Sequence, residues 1–290
     1  MKKYECILLR VSGELSLKSE QVKPKFFSLL VRNVRKSLDR KNIEHRIEVN
    51  PSRIFVYTNE ISQAVKSLIK VFGISSLSPC WTCASKIDEI SLLASDIAVE
   101  NLKLDNTKSF ALRVRKAGRH KEFSLKTLAD EVGGAVKRVT NAKVDLTNPD
   151  IEIFIECRSR RTYIFVKKIK AVGGLPLGSG GKACALVYSY ADLVAAWLVM
   201  RRGNSLVVFT DNEEYENILR SWHIGERISI NYEDKEKALK EALKLQLPIV
   251  KGSLFSQLHS TNAFVLNPII CFPEKIIKKM YEKIKKFSKL

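Results

Sequence analysis

No apolar run approaches the roughly 18 residues that a membrane-spanning helix needs, so none is expected in these 290 residues. The first residues, Met1 to Ile7, lead straight into strand-like sequence without the apolar core and small-residue cleavage site of a secretory leader. A cytoplasmic location is the expectation. The six cysteines, Cys6, Cys80, Cys83, Cys157, Cys184 and Cys271, lack the regular spacing of a disulfide framework. Cys6, Cys157 and Cys184 sit in apolar strand-like runs and read as buried thiols. Cys80 and Cys83 form a CxxC, but no second pair completes a zinc site and no strand-then-helix context suggests a thioredoxin motif, so a structural role outweighs metal or redox work.

Acidic residues are also scarce. Fifty Lys and Arg against 31 Asp and Glu leave a formal charge of +19. The excess is distributed, with 15 basic against 7 acidic residues in 1–75, 17 against 12 in 76–168 and 18 against 12 in 169–290. That excludes a separate basic tail. A folded body with spread positive charge suits a long polyanion, whose condensed counterions are released as phosphates are neutralised. The alternative is a generally basic, heat-adapted surface.

Glycine is missing where it would matter most. GGLPLGSGGK, Gly173 to Lys182, leads into the apolar strand Ala183–Val187 and then an apolar helix, the arrangement by which an α/β domain builds a phosphate cradle from backbone N–H groups. Glycines let the anion approach such a turn and tolerate positive φ. Here Tyr188-Ser189-Tyr190-Ala191-Asp192 follows, with two tyrosines where the glycines are expected. The reading is a surviving scaffold with a degenerate nucleotide site.

Periodicity divides the remainder into three units. In residues 1–75, a strand over Tyr4–Val11 precedes a helix after Pro24 with Phe26, Phe27, Leu30, Val31, Val34 and Leu38 on one face. Strands near Arg46–Val49 and Arg53–Thr58 and a helix over Ser62–Val71 complete it. In residues 76–168, a helix over about Asp88–Leu104 precedes a strand in which Arg113 and Arg115 share one face. Lys116, Arg119, His120 and Lys121 continue the basic surface. Ser124 caps a helix with Leu125, Leu128, Val132, Val136 and Val139 inward, and Gly133-Gly134 is expected to permit a close approach. The strands Ile151–Cys157 and Thr162–Lys168 flank a turn carrying Arg158, Arg160 and Arg161, a compact cluster suited to phosphate. Residues 169–290 alternate strand and helix, with strands at Ala183–Val187, Ser205–Phe209, Ile228–Ile230, Pro248–Val250 and Pro268–Ile270 and a last helix from Pro273. This pattern predicts a mostly parallel, doubly wound sheet with its nucleotide crevice at the strands' carboxyl ends.

With those units in place, the chain resembles the tRNA 4-thiouridine synthetase (tRNA sulfurtransferase) family, which is also linked to thiamine biosynthesis. The matching segments are Gly13-Glu14-Leu15-x-Leu17-Lys18, Val31-Arg32-Asn33-x-Arg35, Val71-Phe72-Gly73-Ile74-Ser75-Ser76-x-Ser78-Pro79, Gly173-Gly174-Leu175-Pro176-x-Gly178, Gly181-Lys182 and Met200-Arg201-Arg202-Gly203. The resemblance implies an α+β pair, a ferredoxin-like domain (1–75) and a THUMP RNA-binding domain (76–168), followed by an α/β PP-loop pyrophosphatase-like domain (169–290). In that family an SGGxDS loop binds ATP, a tRNA uridine is adenylated, and a cysteine persulfide delivers sulfur. Only Asp192 falls on the loop's family positions, and Gly252-Ser253-Leu254-Phe255-Ser256-Gln257 looks like a worn second ATP-side motif retaining Gly252 and Gln257. Cys271 lies too early to match the sulfur-accepting cysteine, and no rhodanese-like segment follows within these residues.

Two readings follow. One is a tRNA-binding, non-catalytic or partner-dependent modification factor without a cofactor; the other is an active ATP- and magnesium-dependent tRNA sulfurtransferase with an altered loop. Neither includes a resident metal. The resemblance also implies a homodimer and a sulfur-transfer or modification partner protein. RNA-binding candidates are Lys18, Arg113, Arg115, Lys116, Arg119, Lys121, Arg158, Arg160 and Arg161; the degenerate nucleotide site comprises Tyr188, Ser189, Tyr190, Asp192, Gly252 and Gln257.

Overall fold

A computed structural model describes residues 1–50, 53–117, 123–224, 228–232, 234–252 and 264–290. The chain runs β1 (Cys6–Val11), α1 (Gly13–Ser16), α2 (Lys23–Asp39), β2 (Arg46–Asn50), β3 (Arg53–Tyr57), α3 (Ile61–Leu68), β4 (Ile74–Ala84) and α4 (Ile87–Asp96), which passes into a π-helical turn (Ile97–Asn101). Then come β5 (Ser109–Lys116), α5 (Leu125–Thr140), β6 (Lys143–Val144), β7 (Ile151–Cys157), β8 (Arg161–Phe165) and β9 (Ile169–Lys170). Among the described residues these strands form one nine-stranded sheet, ordered β2-β3-β1-β4-β8-β7-β5-β6, with β9 also on β4.

The sheet is continuous because β4 serves both halves. It pairs antiparallel with β1 from Ile74 to Cys80 and with β8 from Trp81 to Ala84. The division anticipated between residues 75 and 76 falls inside this strand. Long-range pairing on both sides carries Ser75, Ser76, Ser78 and Pro79 into the strand despite the proline.

Helices cover one face only. Ile7, Leu9, Ile54, Val56 and Leu77 pack with Leu30, Val34, Leu38 and Leu68 of α2 and α3. Trp81, Phe110, Ile153, Ile155 and Ile164 pack with Ile90 and Ala94 of α4 and Leu128, Val132 and Val136 of α5. At about 1.5–3 kcal/mol per fully buried aliphatic side chain, this packing outweighs the helices' intrinsic propensities. The Ser124 hydroxyl accepts from Thr127 N–H at 3.0 Å, so the expected cap forms. Leu125 and Val139, expected inward, are instead exposed, while Leu128, Val132, Val136 and Thr140 form the buried face. The expected close approach at the glycine pair is also not required: a Cβ at Gly133 would meet Leu112 at an ordinary 3.6 Å.

The opposite face carries a small cluster without helix residues: Cys6, Leu8, Phe55, Cys80, Tyr163 and Phe165, bordered by Tyr57 and Phe154. Cys80 and Cys83 stand three positions apart, and strand alternation sends them to opposite faces, Cys83 toward the α4–α5 side. Among the described residues no group of His, Cys, Asp and Glu is arranged to hold a metal ion.

The last unit comprises β10 (Lys182–Leu186), α6 (Tyr190–Arg201), β11 (Ser205–Phe209), α7 (Glu213–Trp222), β12 (Ser229–Asn231), α8 (Lys235–Lys244), β13 (Ile249–Val250), β14 (Val265–Leu266) and α9 (Glu274–Ser288). Its strands pair in parallel in the order β12-β11-β10-β13-β14, a doubly wound arrangement that reverses direction between β10 and β13. The strand expected at Pro268–Ile270 lies earlier, at Val265–Leu266; residues 268–270 are a turn, with Ile270 N–H bonded to Asn267 O. Ile277 and Ile284 of α9 are buried, whereas Ile276 is exposed.

The connecting segment is held tightly. Gly73 N–H donates to Gly173 O at 2.9 Å, Asn33 Nδ2 donates to Leu177 O at 3.0 Å, and Arg202 pairs with Glu14. Gly174, at φ +78°, lies so close to α6 that a Cβ there would fall 2.2 Å from Arg201 O. Only glycine satisfies both the left-handed backbone and that approach.

Candidate nucleotide crevice and nucleic-acid interface

The crevice of a doubly wound sheet lies where strand order reverses. Here the β10–α6 loop and the end of β13 meet at that point. Ser189, in extended conformation, caps α6, and its Oγ accepts from Asp192 N–H at 3.2 Å. The Ser189 hydroxyl also donates to Asp192 Oδ2 at 2.7 Å, and Tyr188 N–H donates to the same oxygen at 3.1 Å. Asp192 Oδ1 accepts from Gly252 N–H at 2.8 Å. Ser-x-x-Asp thus forms a variant capping box, with a carboxylate placed in the helix's first turn, where the dipole favours negative charge.

Gly252 closes the space beside that turn. A Cβ there would lie 2.3 Å from both Ala191 C and Asp192 N, so backbone rests directly on backbone. The two tyrosines turn to opposite sides of the sheet. Tyr188 packs beside Cys184, Leu186 and Phe209, with Lys235 Nζ 5.6 Å from its ring. Tyr190 packs on the α9 side; its hydroxyl donates to Glu274 Oε1 at 2.9 Å, and its ring lies 5.9 Å from that of Tyr281. The hydrogen bond to Glu274 is the main cause that raises the Tyr190 phenol above its usual pKa. Within the loop, the Tyr188, Asp192 and Gly252 amides and the Ser189 hydroxyl all have internal acceptors, and Gly252 packs against the first turn of α6. Gln257 lies outside the described residues.

The basic candidates separate into groups. Arg113 and Arg115 share the helix-free face, opposite Phe154 and Glu156 of β7. Arg113 Nε donates to Glu152 at 2.7 Å and its Nη2 to Leu146 O at 3.0 Å, while Arg115 is exposed. Arg158 pairs with Glu156 at 2.8 Å and lies over the Phe55 ring at 5.1 Å. Arg161 Nη1 donates to the Tyr57 hydroxyl at 3.0 Å, and Arg160 is exposed. The turn arginines therefore lean back onto the first unit through aromatic rings.

Two candidates lie apart. Lys116 alternates onto the helix side of β5 and donates to Phe123 O, and Lys18 lies over the Phe26 ring of α2 at 5.5 Å. Arg119 and Lys121 fall outside the described residues. Arg10, Arg53 and Lys168, which local sequence pattern does not single out, share the helix-free face with Arg115 and Arg158. The alternations Cys6-Leu8-Arg10 and Arg53-Phe55-Tyr57 carried the signal, but only sheet order shows that they adjoin.

Comparison with known proteins places this geometry in context. Residues 6–78 match the ThiI ferredoxin-like domain family and residues 84–167 the THUMP domain family. The probable tRNA sulfurtransferase of Thermococcus kodakarensis is 31% identical over 258 residues, covering 83% of this chain and 68% of that protein. Its counterpart in Methanobrevibacter smithii is 32% identical over 226 residues, covering 74% and 57%. The tRNA sulfurtransferase of Pyrobaculum aerophilum is 39% identical over 201 residues, covering 69% and 40%. The chain spans about half the length of these two latter relatives. PH1313 from Pyrococcus horikoshii superposes with a TM-score of 0.82 at 25% identity, covering 97% of this chain and 99% of that one. A 4-thiouridine synthetase, solved as an RNA complex with bound ATP, shares the fold with a TM-score of 0.81 at 20% identity, covering 99% of this chain and 86% of that one. The chain belongs to the tRNA sulfurtransferase family.

Proposed function

We propose that this protein binds tRNA through its ferredoxin-like and THUMP units and that its third unit is a non-catalytic or partner-dependent remnant of the family's nucleotide domain. Its place would be that of a tRNA modification factor. The observation that carries this reading is the contact between Gly252 and the first turn of α6, where Asp192 takes up the Tyr188 and Gly252 amides and the Ser189 hydroxyl. A phosphate group needs those donors and that space. The basic surface of the first two units supplies the polyanion affinity, and the family's THUMP domain supplies the precedent.

Calorimetry with ATP and magnesium, run beside a tRNA-binding assay, tests the proposal. Tight tRNA binding with no heat of nucleotide binding is expected. Micromolar affinity for ATP, or tRNA-dependent exchange of labelled pyrophosphate, would overturn it in favour of an ATP-dependent sulfurtransferase with an altered loop.

A further inference from the structure

The helix-free face concentrates cations around one carboxylate. Glu156 is 4% exposed. It accepts from Arg158 at 2.8 Å, lies 3.6 Å from Arg53 Nε and pairs in strand register with Arg115. Arg10, from the neighbouring β1, donates through Nη1 to Ser78 Oγ at 3.0 Å, and its guanidinium carbon lies 4.8 Å from the Phe165 ring centroid. Its Nη2 is buried without an acceptor. The nearby Glu152 and Glu48 are engaged by Arg113 and Arg46.

Four guanidinium groups, from β1, β3, β5 and the turn after β7, thus gather around a single carboxylate. Burial, together with the charges of Arg53 and Arg115, holds Arg10 below the usual arginine pKa. Burial and the charges of Arg158 and Arg115 do the same to Arg53. Desolvated like charges and an orphaned donor are costly, and an anion relieves both. At the margin, Lys168 Nζ stands 3.7 Å from the centroid of Phe154, whose ring stacks on Phe165 at 5.2 Å.

We propose that Arg10, Arg53, Arg115 and Arg158 form one phosphate pocket, built jointly by the first two units on the shared sheet, that seats a phosphodiester of a bound RNA strand. The pocket rests on the tRNA-binding reading above and assigns it residues from both units. Guanidinium forks match phosphate oxygens in two-point contacts, and the exposed Arg115 gives the site its solvent-facing edge.

Fluorescence anisotropy with the full chain and a tRNA transcript, repeated over a salt series, tests the pocket. Arg10→Gln and the exposed Arg115→Gln each weaken binding about fivefold or more and reduce the slope of log affinity against log salt by about 0.7–0.9 per lost contact. Glu156→Gln raises the local charge and steepens that slope. If these arginines merely roof the aromatic floor, all three folded variants keep the wild-type slope, which overturns the pocket while leaving tRNA binding intact. Should Arg10→Gln fail to fold, Arg115→Gln alone decides. Failure of the wild-type chain to retain tRNA overturns the tRNA-binding reading itself.

Discussion

The Gly252 amide donates to Asp192 Oδ1 at 2.8 Å, tying the end of β13 to the first turn of α6 at the point where the parallel sheet reverses its order. One carboxylate thereby joins three segments of chain. Gly252→Ala places a methyl group 2.3 Å from main-chain atoms. The expected outcome is a loss of about 2 kcal/mol or more in urea unfolding. Asp192→Ala removes the capping box as well as the link and is expected to cost about 1–2 kcal/mol.

Arg113 and Arg115 share a face but differ in their contacts. Because Glu152 and Leu146 O already hold the Arg113 guanidinium, Arg113→Gln should weaken tRNA binding less than Arg115→Gln. Reversing both to Glu should weaken binding strongly and flatten its salt dependence. Filter-binding titrations over a range of salt concentrations check this, and an unchanged slope for the double reversal removes both residues from the footprint.

Lys70 is 4% exposed. Burial, reinforced by Lys41 and Arg40, lowers its pKa to about 8. In the unfolded chain the value is near 10.5, so between about pH 8 and 10.5 the unfolded state binds more protons and stability rises with pH through this group. The charge penalty is fully present below pH 8 and of order 3 kcal/mol. Lys70→Met should therefore be more stable than wild type at pH 7, with a difference that shrinks toward pH 10. Urea unfolding of both proteins at the two pH values measures it.

Thiol reactivity separates the cysteines. Burial raises the pKa of Cys6, Cys80, Cys157 and Cys184, and that of Cys83 to about 12. Cys271 alone is exposed among the described cysteines. A chromogenic disulfide reagent at pH 8 should titrate Cys271 rapidly and the others only on unfolding. Rapid labelling of Cys80 or Cys83 would contradict their structural role.

Several features were legible from local pattern. The stripe from Phe26 to Leu38, the Ser124 cap and the alternating units after Lys182 each encode their own geometry within a few residues. β4 was not legible as one strand, because the boundary placed between residues 75 and 76 falls within it and its continuity depends on pairing with β1 and β8. Nor was the grouping of Arg10, Arg53, Arg115 and Arg158, whose positions span 148 residues of chain and converge only through sheet order. At the crevice, the bulk of the tyrosines does not set the geometry: their rings lie to either side, and Gly252 packs beside the helix.

By itself the amino-acid order determined periodicity, the positive charge and the two tyrosines in the β10–α6 loop, and with them the α+β and α/β units. Only tertiary structure decided that the first two units share a single sheet, that its helix-free face gathers guanidinium groups around Glu156, and that Asp192 ties the β10–α6 loop to the end of β13. The physical reason is range: side-chain alternation and capping act over a few residues, whereas strand order and charge convergence depend on contacts between segments far apart in the chain.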